Sequence, residues 1–554
     1  MKKIYTTIIS AFVFLNVNAQ APSWVWAKGT GGTGGESGSS TCTDVSGNVY
    51  VTGSFNSPTI AFGSTTLTNA GSDDLFIAKY DALGNVQWAQ GIGGIGRDNS
   101  RCIVADASGN IYVTGGYDSP TLSFGTTTIT NVDTTDIFIA KFNPSGNLIW
   151  AKGIGGTDVE TSYGAATDAT GNLYVTGYFK STALSFGAIS VINTDTSGTF
   201  SDLFVVKYNA AGNEVWAKRE GCFNPDLIGT SYNYFGSDIG YSICTDVSGN
   251  VLVTGAYFTK TLIFGNDTLN AGSNATHTFV LKYDNAGNPL WARGETMTPY
   301  SGLGAGENIT TDASGNVFVT GYFNDYYAIF GSDTVALHGN PGNPDVFIVK
   351  FDPSGNVLWL NGAGGNATDF GRGMVTDALG NVYLTGLYSI GIDFGSGVTL
   401  GNGASFDVYV VKYNAAGIAA WAIKANSSWQ DGGASIAMDL YNNLYVTGFY
   451  SAFMFLGSNT LSFGGGTDMF IAKLDALPVG INETNKLSEI GIYPNPSNGI
   501  FNCNQTIKTV EVYNMMGQLI ITDNNTNQIN LQTYPNGLYL AKLNGVNFCK
   551  LVKE

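Results

Sequence analysis

Histidine is almost missing from this chain: His277 and His338 are the only two among 554 residues. That scarcity nearly excludes a histidine-built metal cluster or general base, since imidazole is the side chain that titrates near neutrality unaided. His-Glu-x-x-His, a Walker loop and a Gly-x-Ser-x-Gly elbow are also absent. The six cysteines, Cys42, Cys102, Cys222, Cys244, Cys503 and Cys549, show no Cys-x-x-Cys pair and no metal-ligand spacing. Cys42, Cys102 and Cys244 sit in apolar stretches and are expected to act as small core residues. Cys503 and Cys549 fall near the C-terminus and are candidates for a bridge.

Charge is scarce as well. Only 12% of residues are charged, and 25 basic against 42 acidic side chains leave a net charge of −17. Nucleic acid, whose phosphates demand basic patches, is excluded as a partner, and so is electrostatic docking on anionic lipid. The one sustained apolar run is Ile4–Val17, behind Met1-Lys2-Lys3 and ahead of Val17-Asn18-Ala19. Its basic start, short core and small residues predict a secretory signal peptide over 1–19, not a membrane span. What remains is rich in glycine (74 residues) and aromatics (13%), the composition of a turn-rich β protein.

The organising stretch is Asp106-Ala-Ser-Gly-Asn-Ile-Tyr-Val-Thr-Gly115. It recurs at Asp44–Gly53, Asp168–Gly177, Asp246–Gly255, Asp312–Gly321, Asp377–Gly386 and, more loosely, Asp439–Gly448. Each copy reads as a tight turn feeding a β-branched strand. A Phe-Gly pair follows (Phe62, Phe124, Phe186, Phe264, Phe330, Phe394). Next come a strand ending in lysine (Lys79, Lys141, Lys207, Lys282, Lys350, Lys412, Lys473) and a second turn leading to a tryptophan strand (Trp88, Trp150, Trp216, Trp291, Trp359, Trp421). Four antiparallel strands per unit predict the blade of a β-propeller, with a small extra hairpin around the Phe-Gly pair.

The ends of the array predict how it closes. The seventh copy stops after Lys473 without its tryptophan strand, while a stray one, Trp24-Val-Trp26-Ala-Lys28, opens the mature chain. Trp26 lies 18 residues before Asp44, the spacing from Trp88 to Asp106. The expected fold is therefore all-β, a seven-bladed propeller over 20–476 whose N-terminal strand completes the last blade. That removes an exposed sheet edge.

Two sets of residues stand out as candidate sites. Insertions concentrate aromatics, with Phe223, Tyr232, Tyr234 and Phe235 between the third and fourth copies, then Tyr300, Tyr326 and Tyr327. Loops on a rigid scaffold carry binding, so these mark a ligand surface; their structural alternative is rim cover. Second, an acid stands eight residues before six of the seven turn aspartates: Glu36, Asp98, Glu160, Asp238, Asp369 and Asp431, with Gly304 the exception. These either accept backbone N–H groups in the Gly-rich connections or form an acidic ring for calcium, which prefers oxygen ligands. His277 stands where the other copies have Asp (Asp74, Asp136, Asp202, Asp345, Asp407, Asp468) and is expected at the surface.

At these residues the repeat resembles the SBBP-type β-propeller repeat, which implies a fold and brings no catalytic residues. After a polar linker over 477–489, residues 490–554 change pattern. Ile492-Tyr-Pro-Asn-Pro-Ser-Asn-Gly-Ile-Phe501, Val510–Leu519, Tyr534–Leu540 and Lys550-Leu-Val-Lys553 resemble the C-terminal sorting domain of the type IX secretion system. The resemblance implies a small β-sandwich, a Gram-negative source, a cell-surface or secreted destination and the secretion machinery as partner. Tyr493, Pro494, Asn495, Pro496, Gly499, Gly517, Lys550 and Lys553 are its sorting-signal residues. The expected function is a non-enzymatic surface scaffold for glycan or protein, with no cofactor unless calcium binds. The alternative is a glycosidase or lyase drawing on the acids of the ring.

Overall fold

The turn aspartate closes its own hairpin. Asp44 Oδ1 accepts the backbone N–H groups of Ser46 (2.9 Å) and Asn48 (3.0 Å), while Oδ2 takes the Asn48 amide and the Tyr50 hydroxyl. Gly47 follows at φ 78°, a conformation a side chain would strain. Such turns join the first and second strands of every repeat in a computed structural model of the protein. It describes residues 22–195, 198–221, 237–258, 261–270, 276–296, 303–475, 492–514, 518–544 and 547–554. No helix occurs among the described residues. Ala21–Leu477 forms one compact unit, and the C-terminal segment belongs to another.

The first unit contains seven four-stranded antiparallel sheets, I to VII in chain order. Sheet I runs Glu36–Thr43, Val49–Phe55, Asp74–Tyr80, Val86–Ile92. Sheets II to VII begin at Asp98–Ala105, Glu160–Thr167, Ile239–Thr245, Gly304–Thr311, Asp369–Thr376 and Asp431–Met438. In sheet VII the fourth strand is β1, Ser23–Thr30, antiparallel to Asp468–Asp475 with Trp26 opposite Lys473. First strands pack on one another in sequence, sheet I against II and onward, and sheet VII against I. The arrangement is propeller-like.

Repeated side chains hold neighbouring sheets together. Trp88 Nε1 and Lys79 Nζ both donate to the Pro144 carbonyl of sheet II, at 3.2 and 2.9 Å. Trp216 and Lys207 do the same to Asn285, and Trp291 and Lys282 to Pro353. Threonine hydroxyls bridge first strands: Thr245 to the Thr167 carbonyl, Thr311 to Thr245, Thr376 to Thr311 and Thr43 to Met438. The second and third strands are buried almost throughout, and their apolar faces form the packing between sheets.

The expected side hairpin is present in sheet I as Thr59–Phe62 with Thr65–Thr68, Phe62 being buried over Phe76. In sheet VI it merges into the long strands Val382–Asp393 and Thr399–Tyr413.

In the C-terminal unit, the expected sandwich takes the form of one five-stranded sheet. Its long strand Ile500–Tyr513 breaks register between Asn502 and Ile507, pairing first with Ile492–Tyr493 and then with Gly537–Leu543. The candidate bridge between Cys503 and Cys549 is not formed.

Candidate functional site

Every first strand carries one extra residue. Pairing with the second strand skips between Gly38 and Ser40 in sheet I, and the same bulge recurs in all seven sheets. The bulged residues are Ser39, Arg101, Tyr163, Tyr241, Glu307, Arg372 and Ala434. Opposite each bulge stands the glycine of the Val-Thr-Gly motif. A Cβ there would lie 1.8–2.0 Å from a first-strand carbonyl, as at Gly115 against Asn99 or Gly321 against Ala305. The preceding threonine is fixed too: Thr52 donates to Phe76 O at 2.7 Å, and the equivalent bond recurs in every sheet. The most regular dipeptide of the repeat therefore serves its least regular position.

All seven bulged residues line one cavity of about 800 Å³, walled by the first strands of all seven sheets. Its chemistry is lopsided. Sheets VII and I offer Ala434 and Ser39, while sheets II to VI offer two arginines, two tyrosines and a glutamate. Tyr163 meets Tyr241 edge-on at 5.3 Å and stacks on Tyr178 at 6.0 Å. The Arg101 guanidinium sits 5.4 Å over the Tyr163 ring. Across the cavity, Arg372 lies 5.4 Å over Phe370, itself edge-on to Tyr322 at 5.0 Å. Burial raises the Glu307 carboxyl above its ordinary range, with Arg372 opposing. Cys42, Cys102 and Cys244 line the same cavity, and burial pushes their thiols up, away from nucleophilic character.

The sequence-predicted acids lie elsewhere. Glu36, Asp98, Glu160, Asp238, Asp369 and Asp431 are all fully buried. Glu36 accepts the N–H of Gly32 (2.7 Å) and Ser57 (3.2 Å); Asp98 accepts Gly94 and the Ser119 hydroxyl, both at 2.7 Å. Glu160 accepts Gly156 and the Ser181 hydroxyl, Asp238 the N–H of Phe258, and Asp369 that of Ser389. Asp431 accepts the N–H of Val408. Glu36, Asp98 and Glu160 thus tie their own glycine-rich connections, Asp238 and Asp369 bond Phe258 and Ser389 at the second strand, and Asp431 reaches the third strand of sheet VI. Among the described residues no group of three or more His, Cys, Asp or Glu side chains is placed to hold a metal ion.

Burial raises these carboxyls: Asp369 to about 8, and Glu160 and Asp431 to about 7. A like charge on the preceding sheet adds to the effect, Asp345 for Asp369 and Asp407 for Asp431. Asp345, Asp407 and Asp468 each keep one buried oxygen with no hydrogen-bond partner. His277 corrects the surface expectation: it is buried, with Nδ1 3.9 Å from Glu295 Oε2. Glu295 also explains the Gly304 exception, because a Cβ on Gly304 would fall 2.6 Å from Glu295 Oε2. Here one carboxylate occupies the place of the missing ring acid, and burial raises it to about 8.

Of the aromatic candidates, Phe223, Tyr232, Tyr234, Phe235 and Tyr300 lie outside the described residues, as do residues 1–19, the linker and Gly517. Tyr326 and Tyr327 are 46% and 45% exposed at the start of the sheet V side hairpin, and do not line the cavity. Trp429, Phe453 and Phe455 are exposed and unanticipated, on segments joined by the Asn426–Phe455 pairing. A trace of the cavity was present in the sequence: three residues after the ring-acid position the copies carry Ser39, Arg101, Tyr163, Tyr241, Glu307, Arg372 and Ala434.

In the C-terminal unit Tyr493, Pro494, Asn495 and Pro496 are exposed. Asn495 clamps the last strand, its amide donating to Lys550 O (2.6 Å) and its oxygen accepting Val552 N–H (2.9 Å). Gly499 approaches the Gln532 backbone too closely for a side chain. Lys553 is buried, donating to the carbonyls of Gln532 (2.9 Å) and Tyr534.

Residues 491–554 match the secretion system C-terminal sorting domain. That domain directs the chain to the cell surface through the type IX route. The chain is 25% identical over 509 residues to an uncharacterized WD repeat-containing protein of Acanthamoeba polyphaga mimivirus, covering 77% of this chain and 36% of the relative. It is 26% identical over 326 residues to the regulatory protein FlaEY of Caulobacter vibrioides, covering 54% and 33%. The chain thus matches about a third of the length of either relative. Similar solved structures include the Pan2 WD40 domain of Neurospora crassa, with a TM-score of 0.38, 9% identity and coverage of 80% of this chain and 90% of that one. A protein of unknown function from Bacteroides caccae follows at TM-score 0.30 and 12% identity, covering 63% and 89%.

Proposed function

We propose that the seven sheets are the blades of a closed β-propeller of SBBP type, latched by β1, and that it serves as a non-enzymatic binding scaffold. Its ligand is an extracellular glycan or protein, and its site is the cavity mouth where the bulged residues converge. The observation that carries this reading is the divergence of Ser39, Arg101, Tyr163, Tyr241, Glu307, Arg372 and Ala434 at one equivalent position around a cavity of about 800 Å³. A pocket of this volume with few convergent polar groups is the usual form of a ligand site.

The glycosidase or lyase alternative has less support. Hydrolysis of a glycosidic bond ordinarily needs two carboxyls across the bond, and Glu307 is the sole acid among the bulged residues. The exported protein is to be screened on glycan and cell-surface arrays beside Tyr163→Ala and Tyr241→Ala. Binding that survives both substitutions removes the cavity mouth as the site. Turnover of any polysaccharide by the purified protein would favour the enzyme instead.

A further inference from the structure

We infer that the ligand of the cavity mouth is a saccharide carrying a carboxylate, held by stacking on the tyrosines and by the Arg101 and Arg372 guanidinium groups; this rests on the binding reading above. Arginine is rare here, Arg97, Arg101, Arg219, Arg293 and Arg372 being the only five in the chain. Two of the five occupy bulged positions of one cavity. Arg97, Arg219 and Arg293 each have a carboxylate partner within 4.0 Å: Asp73, Asp202 and Asp267. Arg101 and Arg372 form no such ion pair among the described residues, and both are exposed.

Each of the two is backed by a ring instead, Tyr163 for Arg101 and Phe370 for Arg372, both at 5.4 Å. A guanidinium held over a ring face keeps N–H donors that the ring does not consume, and such a fork takes a carboxylate in bidentate fashion. Elsewhere the rare arginines each hold an acid within 4.0 Å; at this cavity Arg101 has no ion pair among the described residues, and Arg372 acts on the Glu307 carboxyl only from beyond that distance.

The remaining wall favours a sugar as the bearer of that carboxylate. Tyr163, Tyr178 and Tyr241 form a contiguous ring cluster, and Tyr322 with Phe370 a second one. Of these rings Tyr163 and Tyr241 line the cavity, and they offer apolar ring carbon with hydroxyl tips, suited to a pyranose that is apolar on one face and polar at its edge. The small residues Ser39 and Ala434 leave the opposite side open for a chain to enter. A long polyanion is disfavoured by the net charge of −17, whose field reaches only about 8 Å at physiological salt. One or two acidic residues at the mouth satisfy both conditions.

The test uses the full chain and calorimetric titration with a galacturonate oligomer, its fully methyl-esterified form and a peptide with a free C-terminal carboxylate. The acidic oligomer is expected to bind, with affinity reduced at least about tenfold by esterification, by Arg101→Gln and by Arg372→Gln. A tenfold change is about 1.4 kcal/mol. Arg293→Gln, outside the cavity, is expected to leave affinity unchanged. Equal binding of ester and acid, lost in Tyr163→Ala, would overturn the charge inference and leave the glycan site standing. Acidic-oligomer binding indifferent to Arg101→Gln, Arg372→Gln and Tyr163→Ala would remove both. Failure of both oligomers to bind, or binding of the peptide alone, overturns the saccharide assignment.

Discussion

Trp26 and Lys473 face each other across β1 and the third strand of sheet VII, and both donate to one carbonyl, that of Ala82 in sheet I. Within the continuous chain, Trp88 and Lys79 clamp Pro144 in the same way. The contact between the chain's two ends thus has the same form as the contacts between consecutive sheets. Trp26 is buried against Tyr80 and Tyr445. Trp26→Ala is expected to cost about 3–5 kcal/mol, the usual range for a buried tryptophan. Trp88→Ala should cost a similar amount in denaturant melts. A Trp26→Ala protein within about 0.5 kcal/mol of the parent would behave like a surface variant and refute the latch.

Most of this architecture was legible because its causes are local. The Asp-x-x-Gly-Asn turn, the alternating strand and the tryptophan register are all written within about ten residues, and the missing tryptophan strand was detectable by spacing alone. The cavity was harder to see. Nothing in a strand's alternation announces a bulge, and only the strand pairing sets Arg101 and Arg372 at bulges opposite Gly115 and Gly386. His277 was misread for a related reason. Its slot is buried in every copy, Asp74, Asp136, Asp202, Asp345, Asp407 and Asp468 included, and the polar residues that fill it do not announce that burial.

The bulge makes two glycines behave differently under the same substitution. Gly115→Ala would put a Cβ 1.9 Å from the Asn99 carbonyl, and backbone has nowhere to move between packed strands. Gly47 sits at φ 78° with nothing within 4 Å of its Cβ position. Gly47→Ala should cost about 1 kcal/mol, from backbone strain alone. Gly115→Ala should exceed about 3 kcal/mol or prevent folding, as overpacking at backbone does. Similar costs at the two sites in chemical denaturation would show that the bulge relaxes.

Buried carboxyls give the propeller unit an inverted acid response. Asp369 is raised to about 8 and Asp431 and Glu160 to about 7, by burial first. An acid whose folded value exceeds its unfolded one binds protons more tightly when folded, so stability falls as pH rises between the two values. His338, raised chiefly by its hydrogen bond to Asp345, acts in the same direction. Its contribution is present at low pH and lost as pH climbs through its folded value. The melting temperature is therefore expected to rise on going from pH 8 to about pH 5. Asp369→Asn should lift it at pH 8 and flatten part of the slope. A flat profile over that window would show that these carboxyls are ionised without penalty.

Calcium is testable by the same melts. Glu36, Asp98 and Glu160 are occupied by backbone N–H groups of their own connections, whereas calcium asks for six to eight oxygens around one point. Melting temperatures in chelator and in millimolar calcium are expected to coincide. A rise of several degrees with calcium, lost in Asp369→Asn, would return the ring to the list of metal ligands.

The sorting domain separates folding residues from presented ones. Asn495 bonds Lys550 and Val552 on the last strand, and Lys553 is buried on the carbonyls of Gln532 and Tyr534. Removing either strands polar backbone groups, a loss of about 1–3 kcal/mol per group. Tyr493, by contrast, is 56% exposed. Tyr493→Ala should leave the domain's stability within about 0.5 kcal/mol, as surface changes do, and any export defect it causes reports recognition alone. Deletion of 491–554 should trap the protein in the periplasm, and Lys553→Met should do so in proportion to the unfolded fraction. Cell-surface protease accessibility against periplasmic content measures each case. Normal surface display of the deletion variant would mean that export is encoded outside the C-terminal domain.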